Sequence, residues 1–231
     1  IETLEVCYLG VKKFLKKSKK DNSLFIFFSS SEIYGNPDAK NIPTDENYYG
    51  NVNSFGPRSC YDESKRIGET LCYVYKKYYN TKIKIIRPFN IYGPGMSKSD
   101  DRVIPSFFRL INKNKPLTIY NHGKQTRSFC YIDDALSGFI KVISKGDMGE
   151  IYNVGNDKEE VSMNDLAKIL KEIINDKKIN IKKQGYPSRY PGNEPMRRCP
   201  KLNKLIKDTG YSPKSSLKKS LLHFYKNYNQ N

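Results

Sequence analysis

Two short apolar runs, Leu24-Phe25-Ile26-Phe27-Phe28 and the isoleucine-rich stretch Ile83 to Ile86, flank a segment with helical spacing, and each run breaks into polar residues. The first breaks at Ser29-Ser30-Ser31-Glu32-Ile33-Tyr34-Gly35, the second at Arg87-Pro88-Phe89-Asn90-Ile91-Tyr92-Gly93-Pro94. Runs this short, continuous and rich in aromatic or β-branched residues read as fully buried strands. Two such strands around one helix deliver both polar turns to C-terminal strand ends, where open α/β sheets bind ligands.

The helix between them begins near Ser59-Cys60-Tyr61-Asp62-Glu63-Ser64-Lys65-Arg66. Tyr61 and Lys65 then stand one turn apart on the same face. A phenol with its reference pKa near ~10 is a poor base at neutral pH. An ammonium about 5 Å away favours the phenolate by roughly 3 kcal/mol at an effective dielectric of ~20. Such a pair suits removal of a hydroxyl proton while hydride leaves the same carbon. The spacing alone does not single out Tyr61, because Tyr8/Lys12, Tyr73/Lys77, Tyr78/Lys82 and Tyr120/Lys124 repeat it. The two polar strand ends beside it do.

The 231 residues suffice for a real core in one large domain or two small ones. No apolar run is long enough to span a bilayer, and no basic-then-apolar signal segment opens the sequence. A cytoplasmic protein without membrane contact is expected. Five cysteines without Cys-x-x-Cys spacing, and only two histidines, argue against a disulfide framework and against a metal site. The net charge of +17 raises the question of nucleic acid. The lysines are scattered over helix faces, however, and no nucleic-acid motif accompanies them. A basic cleft for anionic ligands accounts for the charge without nucleic acid.

The sequence opens inside a helical pattern, with Leu4, Leu9, Val11 and Phe14-Leu15 as an apolar stripe. In the central helix, Ile67, Leu71, Val74-Tyr75 and Tyr78 are expected to face the core. Further on, a helix runs from about Arg102 to Asn112, and a strand covers Leu117–Tyr120. A second strand covers Phe129–Ile132. Asp133 is expected to cap the helix that follows, with Asp134 part of the same cap. Ile151–Val154 is another strand, Ser162-x-x-Asp165 opens an amphipathic helix to Ile174, and Ile179–Ile181 is a weak strand. The loop Tyr186–Pro200 carries Pro187, Pro191, Pro195 and Pro200 around Arg197-Arg198; proline this dense stiffens a loop and positions what it carries. Two short helices split at Gly210-Tyr211-Ser212-Pro213 close the chain as a packing cap.

Three pieces of sequence are specific in combination: Ser-Glu-Ile-Tyr-Gly at 31–35, Pro57-Arg58-Ser59-Cys60-Tyr61 through Arg66, and Gly123-Lys124-Gln125-Thr126-Arg127-Ser128-Phe129. With them the chain resembles, from Ile1 to about Tyr225, the extended short-chain dehydrogenase/reductases of the nucleotide-sugar epimerase/dehydratase family, and within it the UDP-glucuronate decarboxylases. The resemblance implies an α/β fold: the C-terminal part of a Rossmann-type doubly wound parallel sheet (residues 1–95) plus a smaller α/β nucleotide-sugar-binding domain (96–231). Residues of about 127–156 could return to the Rossmann part. No Gly-x-Gly-x-x-Gly occurs, so the turn that approaches the cofactor pyrophosphate is expected in a leading segment outside this sequence.

Roles implied by the resemblance follow position by position. Tyr61 and Lys65 are the catalytic pair and also touch NAD, with NADP left open, as do Ser29 and Pro88. Ser30 hydrogen-bonds the C4 oxygen of the sugar. Ser31 stands where dehydratases carry an aspartate general acid, which disfavours dehydration, and the Glu32 carboxylate tilts the choice toward decarboxylation. Asn90, Arg102, Tyr120 (on the uracil ring), Arg127 (on the diphosphate) and Arg198 are the remaining substrate contacts, alongside Ser31. The expected partners are a UDP-sugar and, for the full-length enzyme, a second copy of itself. A UDP-sugar 4-epimerase is the alternative reaction, and a non-catalytic remnant is the reading from another class.

Overall fold

Every residue from Ile83 to Arg87 is buried, which places the strand they form in the middle of a sheet rather than at its edge. The computed structural model describes residues 1–175, 178–187 and 194–230. The chain begins with α1 (Glu2–Glu5), which passes through a π-turn at Val6–Gly10 into α2 (Val11–Asp21). Strand β1 (Phe25–Phe28) follows, then α3 (Ser59–Tyr79), β2 (Ile83–Pro88) and the short β3 (Ile91–Tyr92). Next come α4 (Val103–Asn112), β4 (Leu117–Tyr120), β5 (Thr126–Ser128) and β6 (Cys130–Tyr131). α5 (Ile132–Lys145), β7 (Ile151–Val154), β8 (Glu160–Ser162) and α6 (Met163–Ile174) continue the alternation. The chain finishes with β9 (Ile181–Gln184), β10 (Arg197–Arg198), α7 (Asn203–Thr209) and α8 (Leu217–Gln230). Helices α2, α3 and α6 all stop at an asparagine in the left-handed conformation, Asn22, Asn80 and Asn175, which ends a helix without glycine.

The main sheet is parallel in the order β1-β2-β7, with Phe25 opposite Ile83 and Ile85 opposite Ile151. β1 is therefore an edge strand among the described residues. That corrects the expectation of a fully buried run: only Phe27 is buried, and Phe28 is exposed. A smaller sheet runs β10-β5-β8, and the parallel pairs β3-β6 and β4-β9 complete the pairing. One core lies between α2, β1, β2 and α3 around Leu15, Phe27, Cys72 and Ile85. The largest core gathers α4, β4, α6 and α8 around Phe108, Leu117, Leu166 and Phe224.

Three helix-level expectations are corrected. In the first helix only Val11 and Leu15 of the proposed stripe are buried; Leu4, Leu9 and Phe14 face outward. On α3 the inward face is Asp62, Ser64, Gly68, Cys72 and Tyr75, while Ile67 and Tyr78 are exposed. Small residues line that face because the aromatic β1 fills the space. A Cβ at Gly68 would stand 2.3 Å from Cζ of Phe27. Gly68→Ala should therefore lower stability by about 1–3 kcal/mol despite the better helix propensity of alanine, measured by urea denaturation. Third, Tyr131 rather than Asp133 occupies the cap position of α5, without a side-chain bond. Asp134 instead accepts the backbone N–H groups of Lys214 and Ser215, at 2.9 Å each, and tethers the start of the C-terminal segment. The box at Ser162 is as expected, its hydroxyl accepting from the Asp165 N–H at 3.0 Å. Pro191, one of the four loop prolines, lies outside the described residues. Among the described residues no helix is long and apolar enough to cross a membrane.

Candidate active site

The chain leaves β1 through a single 3-10 turn, Ser31–Tyr34, capped by the Ser30 hydroxyl, which accepts from the Glu32 N–H at 3.2 Å. Ser29, Ser30 and Ser31 are buried, and the Ser29 hydroxyl has no hydrogen-bond partner among the described residues. Lys65 reaches across from α3 and donates to the Phe28 carbonyl at 2.9 Å. Its ammonium lies 5.8 Å from the centre of the Tyr61 ring. Tyr61 itself is 42% exposed, one helical turn earlier. The tyrosine, the lysine and the serine turn thus share the C-terminal end of β1. Pro88 ends β2, the strand beside it, opposite Val154.

Glu32 lies at the centre of an ion cluster. Arg198 grips it with both terminal nitrogens, Nη2 donating to Oε2 at 2.7 Å, and Arg58 donates to the same Oε2. Burial works against the charge on Glu32, but Arg198 and Arg58, with Arg127 beyond them, outweigh it and hold the carboxyl below its ordinary range. Arg58 also approaches Asp62, with Nε 3.7 Å from Oδ2. Asp62 is only 5% exposed, and its Oδ1 has no hydrogen-bond partner among the described residues. Burial pushes its carboxyl up to about 6, the charges on Glu32 and Glu63 adding to the rise while Arg58 and Arg198 oppose it.

The cluster forms one end of a cleft of 470 Å³. Glu32, Asn90, Arg102, Tyr120, Arg127 and Arg198 all line it. Arg127 is buried and preset, donating to the Thr126 carbonyl at 2.8 Å and to Glu194 at 2.7 Å. Asn90 adopts a left-handed backbone and donates to the Ser128 carbonyl at 3.2 Å. Arg102 is mostly exposed and paired to Asp100 at 2.6 Å. Tyr120, at the end of β4, stacks on Tyr186 with ring centres 5.9 Å apart. Ser29, Ser30, Ser31, Tyr61, Lys65 and Pro88 do not line this cleft. They form an adjoining ledge from the ends of β1 and β2 and the first turns of α3, with Ser29–Ser31 leading directly into Glu32.

That ledge has features a nicotinamide end requires: the unpartnered buried Ser29 hydroxyl, an accessible phenol and a fixed ammonium. Sequence reasoning did not single out Arg58, Asp62 and Glu194. Arg58 and Asp62 flank the recognised tyrosine, and two opposite charges at one helix start was the signal available.

Residues 1–155 match the model of the NAD dependent epimerase/dehydratase family. The chain belongs to that family. Among individual relatives of this epimerase/dehydratase chain, UDP-glucuronic acid decarboxylase 3 of Arabidopsis thaliana is 38% identical over 221 residues, covering 96% of the chain and 62% of the relative. UDP-glucuronic acid decarboxylase 1 of Xenopus tropicalis is 31% identical over 230 residues, covering 98% and 52%. The crystal structure of UDP-glucuronic acid 4-epimerase from Bacillus cereus, in complex with UDP-glucuronic acid and NAD, superposes with a TM-score of 0.85. It is 29% identical and covers 97% of this chain and 67% of that one. UDP-glucose 4-epimerase from Thermotoga maritima, at 23% identity and a TM-score of 0.86, shares the Rossmann-type fold. The epimerase/dehydratase chain spans 62% of the length of the Arabidopsis relative and 52% of the Xenopus one.

Proposed function

We propose that this chain supplies the catalytic ledge and the sugar-nucleotide cleft of an NAD-dependent UDP-glucuronate decarboxylase that forms UDP-xylose. The observation that carries the proposal is Glu32, held by Arg198 and Arg58 at the end of the cleft nearest the Tyr61–Lys65 ledge. The decarboxylase relatives at 31–38% identity support the same reading. Residues 1–95 would provide the cofactor side, and 96–231 most of the sugar-nucleotide side.

Bound NAD supplies a place for the C4 hydride to go and to return from. Tyr61 takes the C4 hydroxyl proton, and the Lys65 ammonium favours the resulting phenolate. Ser30 uses its hydroxyl oxygen to accept the Glu32 N–H, so its own O–H is available to the C4 oxygen. Oxidation at C4 makes the sugar a β-keto acid. The C5–carboxylate bond then breaks, its electrons pass toward the C4 oxygen, carbon dioxide leaves, and the enolate takes a proton from water at C5. The ionised Glu32 can orient that water, and the Tyr61 phenol gives its proton back to the C4 oxygen as hydride returns to C4. Arg127 and Asn90 hold the diphosphate, and Tyr120, which lines the cleft, packs on the base. A guanidinium already fixed by two acceptors loses little freedom on gripping phosphate oxygens. A homodimer built on α3 and the helices before it belongs to this reading; Leu9, Phe14, Tyr73 and Tyr78 are exposed there.

The 29%-identical UDP-glucuronic acid 4-epimerase favours a second reading, in which the keto sugar turns over and hydride returns to its other face. Incubation with UDP-glucuronate and NAD separates the two by product. UDP-xylose with carbon dioxide is expected. UDP-galacturonate without gas would assign the epimerase, and no turnover by the whole protein would remove both.

A further inference from the structure

A second cavity, of 340 Å³, adjoins the cleft and shares Arg58 with it. Its lining includes Asn36, Asn53, Arg58, Asp62 and Glu194, so Arg58 and Glu194 wall both spaces. Arg58 is thus a guanidinium shared between two carboxylates, Glu32 in the cleft and Asp62 in the second cavity. The Asp62 contact is long at 3.7 Å, and its second oxygen is buried without a hydrogen-bond partner among the described residues. The groups that act on Asp62 are Arg58, Glu32, Arg198 and its helix neighbour Glu63, with Glu194 across the cavity.

We propose that Asp62 is a positioning residue: when charged it draws Arg58 away from Glu32, so one proton outside the cleft sets the charge at the cleft floor. With Asp62 protonated, Arg58 and Arg198 against Glu32 leave one net positive charge; with Asp62 ionised the cluster is neutral. Burial, with Glu32 and Glu63 adding to it, pushes this carboxyl up to about 6, so the switch lies near neutral pH. A raised carboxyl of this kind favours the folded state below its unfolded value, and the advantage is lost as pH rises through about 6. The inference rests on Glu32 belonging to the substrate cleft, and its test has one arm that needs no substrate.

In that arm, carboxyl carbons of the 231-residue chain are followed by 13C NMR as pH is raised. Asp62 should titrate near 6 in the unaltered chain. In Glu32→Gln its midpoint should fall by about one unit, because a negative neighbour is gone and Arg58 is released to it. An Asp62 midpoint in the ordinary carboxylate range, or one indifferent to Glu32→Gln, would overturn the proposal. The second arm measures UDP-glucuronate affinity, since neither the diphosphate diester nor the sugar carboxylate titrates near 6. From about pH 5 to 8 affinity should weaken about threefold in the unaltered chain, stay flat in Asp62→Asn, and regain its slope in Asp62→Glu. A slope that survives Asp62→Asn would overturn the proposal. Coupling in the first arm without any UDP-glucuronate binding would support it while removing the substrate assignment.

Discussion

Tyr61→Phe should lower turnover of UDP-glucuronate by about a thousandfold and leave the melting temperature unchanged. General base catalysis by a positioned side chain contributes about 10²–10⁴ in rate, and the proposed function assigns the C4 proton to this phenol. The same hydroxyl contributes little to the fold. Tyr61 is nearly half exposed, and its hydroxyl makes no hydrogen bond among the described residues. Removing an unpartnered, accessible oxygen falls within about 0.5 kcal/mol of neutral. Lys65 gives a contrasting variant: its ammonium ties α3 to the Phe28 carbonyl, so Lys65→Met should lose activity and some stability together. Measured kcat for Tyr61→Phe within tenfold of the unaltered enzyme would deny the tyrosine its role.

The largest loss of stability is expected from Arg87→Met, about 3–5 kcal/mol by urea denaturation. Arg87 is buried beneath the site and donates to both oxygens of Glu69, at 2.9 and 2.6 Å. It also donates to the Tyr34 hydroxyl at 2.6 Å and to the Glu46 carbonyl at 2.8 Å. Tyr34 passes the bond on to Asn153 at 2.8 Å, and Asn153 reaches the Thr44 carbonyl at 3.0 Å. Burial raises the Tyr34 phenol strongly, against the pull of Arg87, and keeps it a neutral donor. One guanidinium therefore joins α3, the turn after β1, β2 and β7. Methionine would leave Glu69 as a half-buried charge without its cation, and several acceptors unpaired. Because Glu32 sits two residues before Tyr34 in the same turn, the variant should also weaken substrate binding. A change below about 1 kcal/mol would show that the network adds nothing beyond packing.

The strands Leu117–Tyr120 and Ile151–Val154 and the Ser162 cap are legible because each is written in local pattern. The expected Ile179–Ile181, by contrast, meets β9 only at Ile181, the expected Phe129–Ile132 narrows to Cys130–Tyr131, and the short strands β3, β5, β8 and β10 carry no such pattern. Ile83–Pro88 reads as buried from its isoleucines alone. Leu24–Phe28 carries the same pattern, yet β1 lies at the edge among the described residues, since a hydrophobic run does not record how many neighbours it has. The inward face of α3 was misread for a related reason. Periodicity points to the large apolar residues, including Ile67 and Tyr78 as well as Tyr75, whereas the buried face is Asp62, Ser64, Gly68, Cys72 and Tyr75, with Phe27 of β1 closing on Gly68. Of the expected site residues, six line one cleft and six form the ledge beside it. What no local pattern could give is the pairing of Glu32 with Arg198, 166 residues away, or the sharing of Arg58 between two carboxylates. Those are products of tertiary approach, and the burial that raises the Asp62 carboxyl is one as well.

The central claim is that a C4 alcohol is oxidised on the Tyr61–Lys65 ledge and that carbon is then lost beside Glu32. Turnover of UDP-glucuronate with NAD in deuterated water reports both steps in one NMR spectrum. The account predicts UDP-xylose carrying one solvent deuterium at C5 and none at C4, because hydride returns from where it went. A six-carbon sugar product, or solvent deuterium at C4, would contradict it.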